Sequence, residues 1–263
     1  MPLLVSLHTW SNDLEQRNRE LELLVDQKVW IYLSPNFRGA NRHPEACGSV
    51  KSQQDILDAV AWARQNYPID ERRIYLTGVS GGGHMTMLMV GRHPHIWAAA
   101  SAWVGISDLA AWHTKHADGK YGAMLRACCG GAPGDGPAVD RAYRQLSPLT
   151  WLPRANDVPL DIAAGIHDGH QGSVPIRHSL EAFNTIASAV GEPAVTAAEI
   201  QQLSQPRGRL ADPQTSDQAK DQSLGRQIHL RRTAGRSRVT IFEGGHEGIA
   251  SAAIAWLESH VKE

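Results

Sequence analysis

Short apolar runs alternate with stretches of helical periodicity along most of the chain, and this alternation limits its fold more than any other feature. The apolar runs predict β-strands at residues 2–7, 29–33, 73–77, 98–104, 160–164 and 239–242. Helices are predicted between them at 14–27, 52–67, 85–90 and 249–261; the second carries a capping-box pair at Ser52 and Asp55. Strands separated by helices need crossover connections, which predicts an α/β fold with a mostly parallel sheet and helices on both faces.

One segment interrupts this alternation. With 263 residues the chain can bury a large core, and we expect a single domain over 1–263. Residues 206–226 are too rich in Gln, Asp, Ser, Arg and Gly for a core, which predicts a surface excursion near 200–230. This excursion is either a solvated loop or a rim that meets a polar or anionic substrate. The run at 228–232 then predicts a hairpin with 239–242.

Charge and hydropathy exclude several classes of protein. A formal net charge of -1 argues against a strongly basic nucleic-acid binder. No apolar run approaches the roughly 20 residues that cross a bilayer, so we expect no membrane association. The first residues lack a basic leader and are interpreted as a strand. The compartment stays open, since a secreted protein trimmed of its leader would have the same sequence.

The three cysteines are too few for a disulfide framework. Cys128 and Cys129 are adjacent, and Cys47 stands alone. The favoured interpretation is small buried thiols. A bridge from Cys47 to either of the others stays open, because spacing alone cannot identify a pair.

The motif Gly78-Val79-Ser80-Gly81-Gly82 matches G-x-S-x-G directly after a predicted strand and before a predicted helix. That context is the one a nucleophile elbow needs, with a sharp turn that exposes the serine hydroxyl at the carboxyl edge of the sheet. Small residues at Gly78 and Gly82 avoid clashes in such a turn. Ser80 is therefore the candidate nucleophile, and the Gly81 N–H is a candidate oxyanion donor.

A serine hydroxyl becomes a good nucleophile only when a base takes its proton. His246, in the Gly-rich turn after the last predicted strand, is the candidate base. Asp168, which follows the strand at 160–164, is the candidate acid that orients it, in the order Ser, acid, His. Asp108, beyond the strand ending near Val104, is the rival acid.

Other residues near these predicted strand ends are candidates for binding. The loop after the first strand predicts the Trp10 N–H as second oxyanion donor, with Thr9 and Trp103 in substrate binding. Trp10 and Trp103 are each either walls of an acyl pocket or core aromatics. Five histidines could suggest a metal site, namely His113, His116, His167, His170 and His178. They lack the spacing of a ligand set, so we expect neither metal nor cofactor.

The chain resembles the catalytic domain of the prolyl oligopeptidase family and its esterase relatives, within the α/β-hydrolases. The resemblance covers about residues 3–260. It rests on moderately specific stretches at 36–39, 55–68, 70–74, 78–83 and 174–175, and on His246. It implies a Ser80–Asp168–His246 triad that hydrolyses an acyl bond.

The sequence departs from the family pattern in four places. We expect no propeller before the hydrolase domain, the gap from Asp168 to Val174-Pro175 is long, and the excursion is extra. The chain also begins at what is normally the third strand, so we expect a sheet lacking its first two edge strands, in either a minimal form of the fold or a part of a longer protein. A bare edge at 29–33 would then offer pairing to another copy and a homo-oligomer.

These features predict a serine hydrolase. We expect a carboxylic ester hydrolase acting through an acyl-enzyme on Ser80, with a small-molecule ester as substrate. The Trp content suggests a carbohydrate ester, and an aromatic ester is the other choice. A serine peptidase of prolyl oligopeptidase type is the alternative, and a non-catalytic binding module is a lesser one.

Overall fold

The protein is built around one seven-stranded sheet. The structure, a computed structural model, describes residues 1–155 and 157–263. The strands are β1 Leu3–Leu7, β2 Ile31–Leu33, β3 Ile74–Val79, β4 Ala99–Trp103, β5 Leu160–Gly165, β6 Ile228–Ala234 and β7 Ser237–Phe242. Their order is β2-β1-β3-β4-β5-β7-β6, and all pairs are parallel except β6 with β7. The predicted α/β fold and the predicted hairpin are confirmed.

Nine described helices surround the sheet. They are α1 Arg19–Gln27, α2 Val50–Asn66, α3 Gly81–Arg92, α4 Leu109–His116, α5 Lys120–Cys129, α6 Pro137–Leu146, α7 Arg177–Val190, α8 Ala197–Leu203 and α9 Ala250–Glu258. One face of the sheet packs with α2, α3 and α7. The other face, through Leu4 and Tyr75, packs with α1 and α9. Because both faces are covered, the central strands are mostly apolar, which is why the sequence shows them as short apolar runs. Asp161 of β5 is a buried exception, and its carboxylate is paired with Arg238 of β7 at 2.6 Å.

The start of α2 differs from the prediction. The helix begins at Val50, and Ser49 is the N-cap, with its hydroxyl accepting from Ser52 N. Asp55 takes no part in capping, because its carboxylate binds the Arg38 guanidinium at 2.7 Å. An ion pair with a distant loop therefore replaces the local capping box.

Helices α4, α5 and α6 follow β4 and precede β5 in the sequence. The apolar pattern did not predict these three helices. Their buried side chains pack in a second core that includes Trp10, Trp112 and Tyr143. This core lies apart from the two sheet faces, and glycines interrupt its sequence at 119, 122, 130 and 131. Cys47 and Cys128 are joined by a disulfide inside this core, while Cys129 is a buried free thiol. The favoured interpretation of three thiols is therefore wrong for Cys47 and Cys128.

The predicted excursion is mostly exposed but is fastened to the sheet. It contains α8 and a 3-10 turn at Thr215–Gln218. Asp217 is buried and accepts from the Arg231 backbone N–H of β6 at 2.7 Å. Ser251 of α9 donates to the Ser223 carbonyl. The excursion thus lies against β6 and close to the loop that follows β7.

None of the helices in the described part of the chain is long and apolar enough to cross a membrane.

Candidate active site

Ser80 lies in the tight turn between β3 and α3, at the carboxyl edge of the sheet. Its backbone has φ 60° and ψ -115°, a conformation that non-glycine residues rarely adopt. The Ser80 N–H donates to the Trp103 carbonyl at 2.8 Å, which fixes the turn against β4. A Cβ at Gly78 would lie 2.7 Å from the Gly82 Cα, so the turn cannot close with a larger residue there. The local geometry is that of a nucleophile elbow.

Asp168 and His246 are brought together from loops at the ends of β5 and β7. His246 Nδ1 lies 2.7 Å from Asp168 Oδ2, and the carboxylate is only 2% exposed. The other oxygen of Asp168 accepts from the N–H groups of Gly169 and Val174, at 2.9 and 3.1 Å. With Nδ1–H donated to the carboxylate, His246 presents Nε2 as its free basic atom.

The loop of His246 packs directly onto the residue before Ser80. A Cβ at Gly248 would be 2.7 Å from Val79 Cγ2 and 3.3 Å from the Trp103 ring, so the backbone of the loop rests on both side chains. Within the described residues, no hydrogen bond joins the Ser80 hydroxyl to the His246 ring. The Asp168–His246 pair is therefore observed, while its link to Ser80 stays a prediction.

The two predicted oxyanion donors are neighbours. A Cβ on Gly81 would overlap the Trp10 backbone and lie 2.8 Å from Trp10 Cβ, so the two backbones nearly touch. No described acceptor takes a hydrogen bond from either the Gly81 or the Trp10 N–H. Two adjacent unpaired N–H groups beside a serine suit a developing oxyanion.

The side chains predicted for binding have different surroundings. Thr9 and Trp103 both line a cleft of about 320 Å³ that also touches Val79 and Gly248. Gln16 anchors Thr9 there by accepting from its backbone N–H at 2.8 Å. The Trp10 indole instead lies in the core of α4–α6, 4.9 Å from the Trp112 ring between centroids. Trp10 is thus a core aromatic, and its side chain lines no part of this cleft.

Asp108, the rival acid, is used elsewhere. Its carboxylate caps α4, accepting from the N–H groups of Ala110 and Ala111 at 2.9 and 3.1 Å. Asp108 is therefore not the partner of His246. Among the described residues no group of three or more His, Cys, Asp or Glu is arranged to hold a metal ion.

A set of donors on α4, not predicted from the sequence, holds the loop after Asp168. Trp112 Nε1 and His116 Nε2 both donate to the Ser173 carbonyl, at 2.9 and 2.7 Å. Lys115 Nζ donates to the Gly169 carbonyl at 2.8 Å. The i, i+3, i+4 spacing of these donors on one helical face was a usable signal.

The fold and the elbow define an α/β-hydrolase. The sequence profile of the prolyl oligopeptidase family matches residues 22–199, which is more than half of the chain. The chain therefore belongs to the prolyl oligopeptidase family.

Two curated relatives have the names of esterases, and each aligns with only part of this chain. The chain is 28% identical over 158 residues to a probable acetylxylan esterase A of Neosartorya fischeri, covering 50% of this chain and 42% of that protein. It is 26% identical over 117 residues to feruloyl esterase B of Talaromyces stipitatus, covering 44% of this chain and 26% of that protein. The chain spans less than half the length of these relatives.

Two solved structures with a similar fold have the names of peptidases. An acylaminoacyl peptidase of Pyrococcus horikoshii aligns with a TM-score of 0.56 at 21% identity, covering 73% of this chain and 31% of the peptidase. Prolyl oligopeptidase B from Galerina marginata aligns with a TM-score of 0.57 at 18% identity, covering 74% and 28%. At these identities the likeness concerns the fold.

Proposed function

We propose that the protein is a serine hydrolase that cleaves carboxylic esters through an acyl-enzyme on Ser80. The single observation that carries the proposal is the 2.7 Å Asp168–His246 pair at the same sheet edge as the Ser80 elbow. A buried carboxylate on Nδ1 and a free Nε2 are what a serine nucleophile requires of its base.

The reaction follows from these groups. His246 Nε2 takes the Ser80 proton as Oγ attacks the ester carbonyl, and the Gly81 and Trp10 N–H groups hold the resulting oxyanion. The imidazolium, stabilised by Asp168, then gives its proton to the departing alkoxide, and the acyl group stays on Ser80. Water then attacks the acyl carbonyl and loses a proton to His246. His246 returns this proton to Ser80 Oγ as the bond to the acyl group breaks, which releases the carboxylic acid and restores the serine. Contact between Ser80 and His246 tightens when substrate is bound, as catalytic hydrogen bonds commonly do.

Relatives suggest the class of ester. The two curated relatives carry the names acetylxylan esterase and feruloyl esterase, which favour an acetylated carbohydrate or an aromatic acid ester as substrate here. The cleft with Thr9 and Trp103 is our candidate for the binding site, because Val79, next to Ser80, and Gly248, two residues after His246, also line it.

Peptide hydrolysis is the second candidate. It is favoured by the family to which the chain belongs and by the peptidases that share its fold. The chemistry differs in one step, because the leaving amine must receive a proton from His246 before it departs.

A panel of substrates tests the proposal, with Ser80→Ala as the key variant and Ser188→Ala, an exposed serine on α7, as its matched control. We expect hydrolysis of p-nitrophenyl acetate to fall by about 10⁶-fold in Ser80→Ala and to be unchanged in the control. Equal activity of Ser80→Ala and wild type would refute the proposal. Faster cleavage of aminoacyl amides than of esters would favour the peptidase, and failure of a fluorophosphonate to label Ser80 in folded protein would indicate a binding module.

A further inference from the structure

Glu243 lies between the two loops that carry Asp168 and His246. It follows the last residue of β7 and precedes His246 by three positions. Its carboxylate receives three donors: His167 Nε2 at 2.6 Å, His229 Nε2 at 2.8 Å and an Arg209 nitrogen at 3.2 Å. We name these four residues the Glu243 cluster.

The cluster links both parts of the acid–base pair. His167 is the residue immediately before Asp168, so the bond from His167 to Glu243 ties the Asp168 loop to the His246 loop. The same two loops share a backbone bond from His167 N to the Gly244 carbonyl at 3.0 Å. These two hydrogen bonds, one from the His167 side chain and one from its backbone, therefore hold the loops of Asp168 and His246 at a set distance from each other.

The cluster also fastens this region to its surroundings. His229 belongs to the antiparallel strand β6 and its side chain is 2% exposed, whereas Arg209 belongs to the excursion. Desolvation opposes ionisation of Glu243, but the hydrogen bonds from His167 and His229 outweigh it and hold its pKa below the usual range. The carboxylate is thus ionised at neutral pH and accepts from both rings.

We propose that Glu243 is a positioning residue that holds Asp168 and His246 in register by bridging His167 and β6. The effect of Glu243 on the rate of hydrolysis rests on the proposed function. The hydrogen bond between Asp168 and His246 can be measured without any substrate turnover. Loss of the bridge lets the two loops shift, and a displacement on the order of 1 Å costs up to about 100-fold in rate.

The variants are Glu243→Gln, which removes the charge, and Glu243→Ala, which removes all three bonds. Glu199→Gln is the matched control, because Glu199 also binds a β6 side chain, Arg232, at 2.6 Å, while its other described hydrogen bonds are all to Thr196 and none is to either loop. For p-nitrophenyl acetate we expect kcat to fall about 10-fold in Glu243→Gln and about 100-fold in Glu243→Ala, with KM within twofold of wild type. We expect Glu199→Gln to keep its kcat even if it melts earlier.

A double-mutant cycle with His167→Asn tests the route of the effect. Since Glu243→Ala already removes the partner of His167, we expect the variant Glu243→Ala/His167→Asn to be no slower than Glu243→Ala alone. Additive losses, an unchanged kcat in Glu243→Ala, or an equal loss in Glu199→Gln would each overturn the proposal.

A spectroscopic measurement separates this inference from the proposed function. The Asp168–His246 hydrogen bond should give a low-field proton NMR resonance that His246→Gln removes. We expect this resonance in wild type and Glu199→Gln and its loss in Glu243→Ala; its persistence in Glu243→Ala would overturn the positioning role even if no ester were hydrolysed. Conversely, Ser80→Ala as active as wild type would refute the hydrolase while leaving the NMR result to decide on Glu243.

Discussion

The disulfide between Cys47 and Cys128 allows a quantitative prediction. It joins the loop before α2 to helix α5 across 81 residues of sequence, with Cα atoms 6.2 Å apart. Both cysteines are buried in the core that also holds the Trp10 indole. The perturbation is the double variant Cys47→Ser/Cys128→Ser, which opens the cross-link and leaves the rest of this core in place.

The expected loss follows from the length of the closed loop. The loop-closure entropy for a separation of 81 residues corresponds to about 4.5 kcal/mol of unfolding free energy at 25 °C. For a chain of 263 residues this corresponds to a fall in Tm of about 8 °C. The effect acts mainly through the unfolded chain, which gains freedom when the loop opens.

The assay is thermal unfolding of the oxidised protein and of the double variant, with Cys129→Ala as the control that retains the cross-link. A thiol titration accompanies it. Burial raises the pKa of Cys129 to about 12, so the folded protein should show no reactive thiol at pH 8. The unfolded, unreduced protein should show one. Three thiols after unfolding, or the same Tm for wild type and double variant, would refute the reasoning.

Two further predictions concern the site and its support. Gly81→Ala should lower kcat for esters by about 100-fold or more, because its Cβ overlaps the Trp10 backbone and displaces an oxyanion donor; a kcat within threefold of wild type would contradict this. Burial lowers the pKa of His84 to about 4, so on acidification the unfolded chain takes up its proton first and stability falls from about pH 6.5 to pH 4. In His84→Gln the slope of unfolding free energy against pH in this window should decrease by about 1.4 kcal/mol per pH unit, measured from urea midpoints; an unchanged slope would exclude His84 as the group responsible.

The strands were the most predictable part of the fold. Most strands are short, mainly apolar runs flanked by turn residues, and this local pattern can be recognised without knowing which strands lie beside each other. The boundaries of helices were less predictable. Ser52 and Asp55 matched a local capping rule, yet a distant Arg38 took the carboxylate and Ser49 became the cap.

The candidate site shows a similar division. The elbow at Ser80 could be predicted because its glycines and its place between strand and helix are local features of the sequence. The Asp168–His246 pair was inferred from chain order, and the structure brings these two side chains together. Glu243 was not anticipated, because nothing in its local sequence indicates that His167 and His229 would converge on it.

By itself, the sequence determined the alternation of strands and helices and the sharp turn at Ser80. These features depend on side-chain periodicity and backbone freedom over a few residues. The sequence also supplied the serine, carboxylate and imidazole groups from which a hydrolase site could be predicted. Tertiary structure alone decided which cysteine pairs with Cys47, where the Trp10 indole lies, and that His167 and His229 meet at Glu243. Those outcomes depend on contacts between segments far apart in the chain, whose distances are set only when the sheet and the helices of α4–α6 have packed.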